Sequence, residues 1–191
     1  MTPAALDRRA LLGTMAALPL LSLPACAAAR TPAPDAAAAL AALEKRAGGR
    51  LGVAILDGKD GMLTGHRTGE RFTMCSTFKF SLAAAVLARL DAGEIAPDAT
   101  LPITRDDPVG HSPVLRATLD RGETSLPALM LAEAAQVQSD NGASNILLRW
   151  IGGPAALTSF WRGLGDDVSR LDRYEPALHT SHDGHPRDTT S

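Results

Sequence analysis

The chain has 191 residues, 45% hydrophobic and 21% charged, enough for one globular unit with a sizeable core. A net charge of −2 gives no basic footprint for nucleic acid or an anionic membrane surface. Aromatics make up only 4%, while Ala and Leu abound, which favours helices with aliphatic cores.

Residues 1–29 read as an export signal. Arg8-Arg9 supplies the charged start, Ala10 to Leu23 an apolar run broken by Pro19, and Ala25 to Ala29 the small residues of a cleavage region. The run is too short and interrupted for a stable membrane span. Arg8-Arg9 ahead of Leu11-Leu12 points to the twin-arginine route, and Leu23-Pro24-Ala25-Cys26 offers lipid anchoring at Cys26 as the weaker alternative. A periplasmic or secreted protein is expected. Thr31 to Pro34 is a linker. Asp35 caps a helix from Ala36 to Ala47, which Gly48-Gly49 stops. Leu51 to Asp57 and Met62 to His66 read as two strands around a hairpin turn at Gly58 to Gly61. A helix follows from Ser76 to Ala92, then a second from Leu126 to Ser139 with Pro127 in its first turn. A third runs from Asn145 to Ile151, and a fourth opens at Pro154 and runs to about Leu164. Residues 172–188 read as a long loop, a feature usually tied to function. No strand is expected after residue 66, so the hairpin is left without sheet partners. Of the two cysteines, Cys75 has no partner once Cys26 leaves with the signal, and reads as a small core residue.

Three short motifs carry chemistry. Ser76-Thr77-Phe78-Lys79 opens a helix, so the i,i+3 spacing brings Lys79 within reach of the Ser76 hydroxyl. The helix start favours negative charge developing near Ser76, and its N–H groups can serve an oxyanion. Ser139-Asp140-Asn141 has the composition of a helix-ending turn. Beside Ser76 and Lys79, Ser139 is also a hydroxyl relay and Asn141 an amide for a substrate amide. Glu175 precedes Pro176, where a cis bond would fix the loop. Arg173 and Asp188 lie near the loop ends and pair off as its clamp, or else form an exposed pair contributing about 0–1 kcal/mol.

Together these motifs resemble class A serine β-lactamases. The likeness rests on Ser76-x-x-Lys79, on Ser139-Asp140-Asn141 and on Arg170-Leu171-Asp172-Arg173-Tyr174-Glu175-Pro176-Ala177-Leu178. Ile151 to Pro154 and Arg187 to Thr190 are also similar to family segments. The resemblance implies an α/β plus all-α fold of the β-lactamase/transpeptidase type. Residues 30–70 would give a helix and two strands of an antiparallel sheet, and 71–191 most of the helical domain. The sequence stops at Ser191, before the Lys-Thr/Ser-Gly strand of the family, so it is expected to be a partial sequence, or else a truncated remnant, with little activity alone.

The implied activity is hydrolysis of penicillins and cephalosporins through an acyl-enzyme, conferring antibiotic resistance, with no metal or other cofactor. Ser76 would be the nucleophile. Lys79, or Glu175 through a water, would take its proton, an assignment left open for acylation. Ser139 would pass a proton to the leaving nitrogen, and Glu175 would activate the hydrolytic water. The partner is a small β-lactam, and the whole protein is expected to be a monomer. The family also has members in which a Cys before the nucleophile is bridged to the C-terminal part, which links Cys75 to carbapenem turnover as a weak expectation. Two positions depart from the family pattern. His179 stands where Asn usually helps to hold the hydrolytic water, and imidazole titrates near neutrality. His111 replaces an aromatic residue at the pocket mouth, where it either walls the substrate site or is an exposed loop His. A transpeptidase or carboxypeptidase shares the first two motifs but not Glu175 in its Glu-Pro-x-Leu setting. A non-enzymatic penicillin sensor would follow a membrane segment rather than a cleavable signal.

Overall fold

A computed structural model describes residues 35–56, 58, 63–180 and 185–191. The export-signal, linker and Cys26 readings therefore lie outside the described residues, as does most of the hairpin turn. Helix α1 spans Ala36–Ala47. The Asp35 side chain accepts from the Ala37 N–H at 3.1 Å, and Gly48, at φ 72°, closes the other end in the left-handed region. No residue of α1 is buried, and its anchor is polar. Glu44 accepts from Arg67 Nε at 2.8 Å and from the Leu51 N–H at 3.1 Å, and lies 2.7 Å from His66 Nε2. These contacts hold its carboxyl at about 2, with the Arg67 bond the largest cause.

Strands β1 (Val53–Leu56) and β2 (Leu63–His66) pair antiparallel, with Val53 opposite His66 and Leu56 opposite Leu63. The expectation of no later strand is corrected by four short ones. In chain order, β3 is Phe72–Thr73, β4 is Thr100–Pro102, β5 is Ser125–Pro127 and β6 is Thr189–Thr190. β3 pairs with β6, and β4 with β5, both antiparallel. Segments of two or three residues show no alternation to read, and Pro102 and Pro127 at strand ends disguise them further. The β3–β6 pair joins the segment before Ser76 to the far end of the 172–188 loop.

The helices are α2 (Phe78–Asp91), α3 (Pro113–Asp120), α4 (Ala128–Val137), α5 (Asn141–Ile151) and α6 (Pro154–Gly163). α2 starts later than expected, because Cys75–Thr77 forms a 3-10 turn ahead of it. α3 was not anticipated from the sequence. It has Pro113 in its first turn and buries Leu115 and Thr118. α4 is shorter than expected at both ends. Pro127 lies before it in extended backbone, and Ser139, at φ 54°, is already left-handed. α5 begins four residues earlier than expected. Its cap is Asp140, whose carboxylate accepts from the Ala143 N–H at 2.9 Å. The Ser139-Asp140-Asn141 turn thus ends one helix and starts the next.

α5 is the central helix and packs against α2, α3, α4 and α6. Leu82 and Val86 of α2, Leu131 of α4, Leu147 and Leu148 of α5, and Leu157 of α6 are fully buried in the shared core. At Gly142 a Cβ would lie 2.6 Å from the Asp107 carbonyl oxygen and 2.7 Å from Leu115. Only glycine lets the start of α5 approach these two that closely. Among the described residues no helix is long and apolar enough to cross a membrane.

Candidate active site

The candidate residues converge where the start of α2, the turn before α5 and the 172–188 loop meet. Lys79 is the second residue of α2 and its side chain is 2% exposed. Nζ donates to the Ser139 carbonyl at 2.9 Å, to Ser139 Oγ at 3.1 Å and to Asn141 Oδ1 at 2.6 Å. It also faces Glu175 Oε1 at 3.2 Å. The spacing predicts a direct reach from Lys79 to Ser76; the link instead runs through Ser139, whose Oγ donates to Ser76 Oγ at 3.1 Å. Ser76 is half-buried at the end of this chain of hydroxyl and amine groups. Burial lowers the Lys79 pKa, and the Glu175 charge opposes that shift. A desolvated amine in contact with a hydroxyl network is suited to accepting and returning a proton.

Left-handed backbone at Cys75 (φ 46°) and Ser139 (φ 54°) sits beside both hydroxyls. Such conformations in non-glycine residues cost of order 1–3 kcal/mol and gather at functional sites. Cys75 is exposed and unbridged, which corrects the expectation of a core residue. The turn into α2 directs its thiol outward and gives the interior position to Met74, 5% exposed.

Asp140 is fully buried, and both its oxygens are used. Oδ1 caps α5, and Oδ2 accepts from the Val114 and Leu115 N–H groups at 2.9 and 3.1 Å. It therefore welds α3 to the start of α5 and fixes Ser139 and Asn141 on either side. Asn141 presents its oxygen to Lys79, and its backbone N–H donates to the His111 carbonyl at 2.8 Å. The His111 ring is exposed, with Nε2 3.0 Å from the Gln138 carbonyl. The structure thus places His111 against the turn that carries Ser139.

Glu175 is brought in by the loop, and its carboxylate is sealed from solvent. The Glu175–Pro176 peptide bond is cis. Asn145 holds the Glu175 backbone from both sides: its Oδ1 accepts from the N–H at 2.9 Å and its Nδ2 donates to the C=O at 3.0 Å. Asn145 was missed from the sequence. The available signal is its position four residues after Asn141, on the same face of α5. Besides Lys79, the carboxylate faces His179, with Nε2 2.7 Å from Oε2. Both carboxylate contacts are at ion-pair distance, but their angles fall short of hydrogen-bond geometry.

The loop ends are clamped. Arg173 Nε donates to Asp188 Oδ2 at 2.6 Å, and Asp188 Oδ1 accepts from the Asp172 and Arg173 N–H groups at 2.7 and 3.1 Å. Asp188 is fully buried, so this is not the exposed pair weighed as the alternative. The Asp188 carbonyl accepts from the Met74 N–H at 2.9 Å, coupling the clamp to the Ser76 turn. Beside it, Arg170 hydrogen-bonds Asp172 and holds that carboxyl below its ordinary range. Among the described residues, no group of three or more His, Cys, Asp or Glu side chains could hold a metal ion.

Comparisons with known proteins agree on one relationship. The family described as "Beta-lactamase enzyme family" matches residues 35–191. The Stenotrophomonas maltophilia protein "Beta-lactamase L2" is 44% identical over 179 residues, covering 92% of this chain and 58% of that protein. "Beta-lactamase CTX-M-25" of Escherichia coli is 42% identical over 190 residues, 96% of this chain and 62% of its own length. Among solved structures, "Ancestral (GNCA) Beta-lactamase class A" superposes with a TM-score of 0.76 at 50% identity, covering 81% of this chain and 58% of that one. A Xanthomonas campestris β-lactamase structure gives a TM-score of 0.75 at 46% identity, covering 81% of this chain and 56% of that one. The chain thus spans about three fifths of the curated relatives it matches, and the fold is that of class A β-lactamases over the shared region.

Proposed function

Because the chain belongs to the β-lactamase enzyme family, we propose that the protein hydrolyses β-lactam antibiotics through an acyl-enzyme on Ser76. The carrying observation is the unbroken run of contacts Ser76–Ser139–Lys79–Glu175, with no link longer than 3.2 Å. Ser76 Oγ attacks the β-lactam carbonyl carbon as its proton leaves toward Lys79, or toward Glu175 through a water. The C–N bond of the ring breaks, and Ser139 delivers a proton to the nitrogen. The Ser76 N–H at the helix start stabilises the tetrahedral oxyanion. Glu175 then removes a proton from a water that attacks the ester, and the proton returns to Ser76 Oγ as the acid product leaves. Asn141 orients the substrate amide, and His111 lines the mouth. Residues 1–29 direct the protein out of the cytoplasm, where such an activity confers antibiotic resistance.

The test is intact-mass spectrometry of the full-length protein mixed with benzylpenicillin. The parent is expected to acylate transiently and return to its free mass. Ser76→Ala is expected to abolish the adduct and Glu175→Ala to accumulate it. A long-lived adduct on the parent protein would favour a transpeptidase or penicillin sensor instead. A Glu175→Ala variant that turns over at the parent rate would remove the role given to that residue.

A further inference from the structure

The Glu175 carboxylate sits between two nitrogen bases of opposite exposure. Oε1 faces the buried Lys79 Nζ at 3.2 Å, and Oε2 faces His179 Nε2 at 2.7 Å. The Glu175 side chain is 0% exposed, whereas the His179 side chain is 38% exposed. The imidazole is therefore the solvent-facing side of an otherwise solvent-excluded carboxylate.

The local chain brings the two side chains together. Residues Ala177–His179 form a 3-10 turn directly after the cis peptide. Leu178 is fully buried and anchors the turn, and the Leu178 N–H donates to the Tyr174 carbonyl at 3.3 Å. Winding the chain this way turns residues 175 and 179 to one side. The 2.7 Å separation is an ion-pair distance without hydrogen-bond geometry, so what the ring brings to Oε2 is its charge rather than a bond.

The charged surroundings fix the sign of the effect. Among the described residues, Lys79 of α2 faces the pair from the far side, within electrostatic reach of Asp140 ahead of α5. Arg173 of the same loop is committed to Asp188 and Thr180. A charged His179 would leave Glu175 between two cations and stabilise its anionic form, which weakens it as a base. A neutral His179 removes one of the two.

We propose that His179 is a positioning residue that gates Glu175 by its charge. As imidazolium it stabilises the Glu175 anion and slows removal of a proton from water; as neutral imidazole it leaves that carboxylate the stronger base. The gate rests on the hydrolytic reading above and acts on the deacylation step alone. Deacylation is therefore slow where the ring is charged and speeds up as rising pH discharges it. An amide at position 179 has no such charge to lose.

The experiment measures acylation and deacylation separately, with benzylpenicillin and the full-length parent, His179→Asn and His179→Gln proteins, between about pH 5 and pH 8.5. The ratio of variant to parent deacylation rates is expected to rise by about tenfold from the alkaline to the acid end. The acylation ratio is expected to stay constant. A deacylation ratio independent of pH would overturn the gate, because a purely structural loss scales all pH values alike. A parent that never acylates overturns the hydrolytic reading and the gate with it. A parent that turns over with profiles parallel to both variants overturns the gate only. Should neither variant fold, a parent deacylation rate flat across the range overturns it.

Discussion

Asn145 shows how one side chain can decide where another residue works. It buries two polar atoms in the middle of α5 and spends both on the backbone of Glu175. Asn145→Ala leaves a buried N–H and a buried C=O without partners, each costing about 1–3 kcal/mol. The variant is expected to lower the thermal midpoint and to slow deacylation far more than acylation, because Ser76 and Lys79 are held by other groups. Equal losses in both steps, read by single-turnover kinetics, would show that Asn145 supports the whole site rather than Glu175. At this scale the sequence was legible where chemistry and short spacing coincide, as in Ser76-x-x-Lys79. It was not legible for Asn145, whose partner lies 30 residues away in a loop with no pattern of its own.

The element that most repays attention is the 172–188 loop. Read from the sequence it is a structureless stretch, and what orders it is long-range. Asp188 reaches back to Asp172 and Arg173, Thr189 and Thr190 pair with β3, and Asp188 accepts from Met74. Asp188→Ala strips the Arg173 guanidinium and two N–H groups of their shared acceptor. Losing one partner of a buried pair costs roughly 3–5 kcal/mol, and the partial exposure of Arg173 pulls toward the lower figure. The expected outcome is lower stability in chemical denaturation, faster proteolysis near residues 172–188 and loss of deacylation. A variant with unchanged stability would mean that the β3–β6 pairing alone holds the loop. The helix boundaries tell a similar story. α4 and α5 were misread by a few residues because the turn between them serves as one helix's end and the other's cap.

For the whole molecule, the site depends on α5 as a central post. Nine of its eleven residues are buried, and Asn141, Ser144 and Asn145 are buried along with the apolar ones, so the sidedness of its sequence does not mark a solvent face. Leu147, fully buried at its middle, belongs to the core shared by the surrounding helices. Leu147→Ala is expected to cost about 2–5 kcal/mol through lost burial and the cavity left behind. Well below its unfolding temperature the variant should still acylate at close to the parent rate, since Ser76 lies in the turn ahead of α2 and Lys79 at the start of that helix. An acylation rate that fell in proportion to the lost stability would show that core packing and site geometry are inseparable. Calorimetry and the penicillin mass shift, measured on one preparation, check both halves.

The sequence by itself determined the family resemblance, the candidate residues and the order of their motifs. Ser76, Lys79, Ser139, Asn141 and Glu175 were identifiable from three short motifs, and α1 from its Asp35 cap and Gly48 stop, because such signals are local. The tertiary structure alone decided that Lys79 meets Ser76 through Ser139, that Asn145 carries Glu175, and that His179 sits on its second oxygen. It also decided that strands of two or three residues pair across more than a hundred positions, as Thr73 does with Thr189. Those facts depend on which distant groups share a low-dielectric interior. There an unpaired polar atom is costly, so the packing of the helices and loop selects the partners.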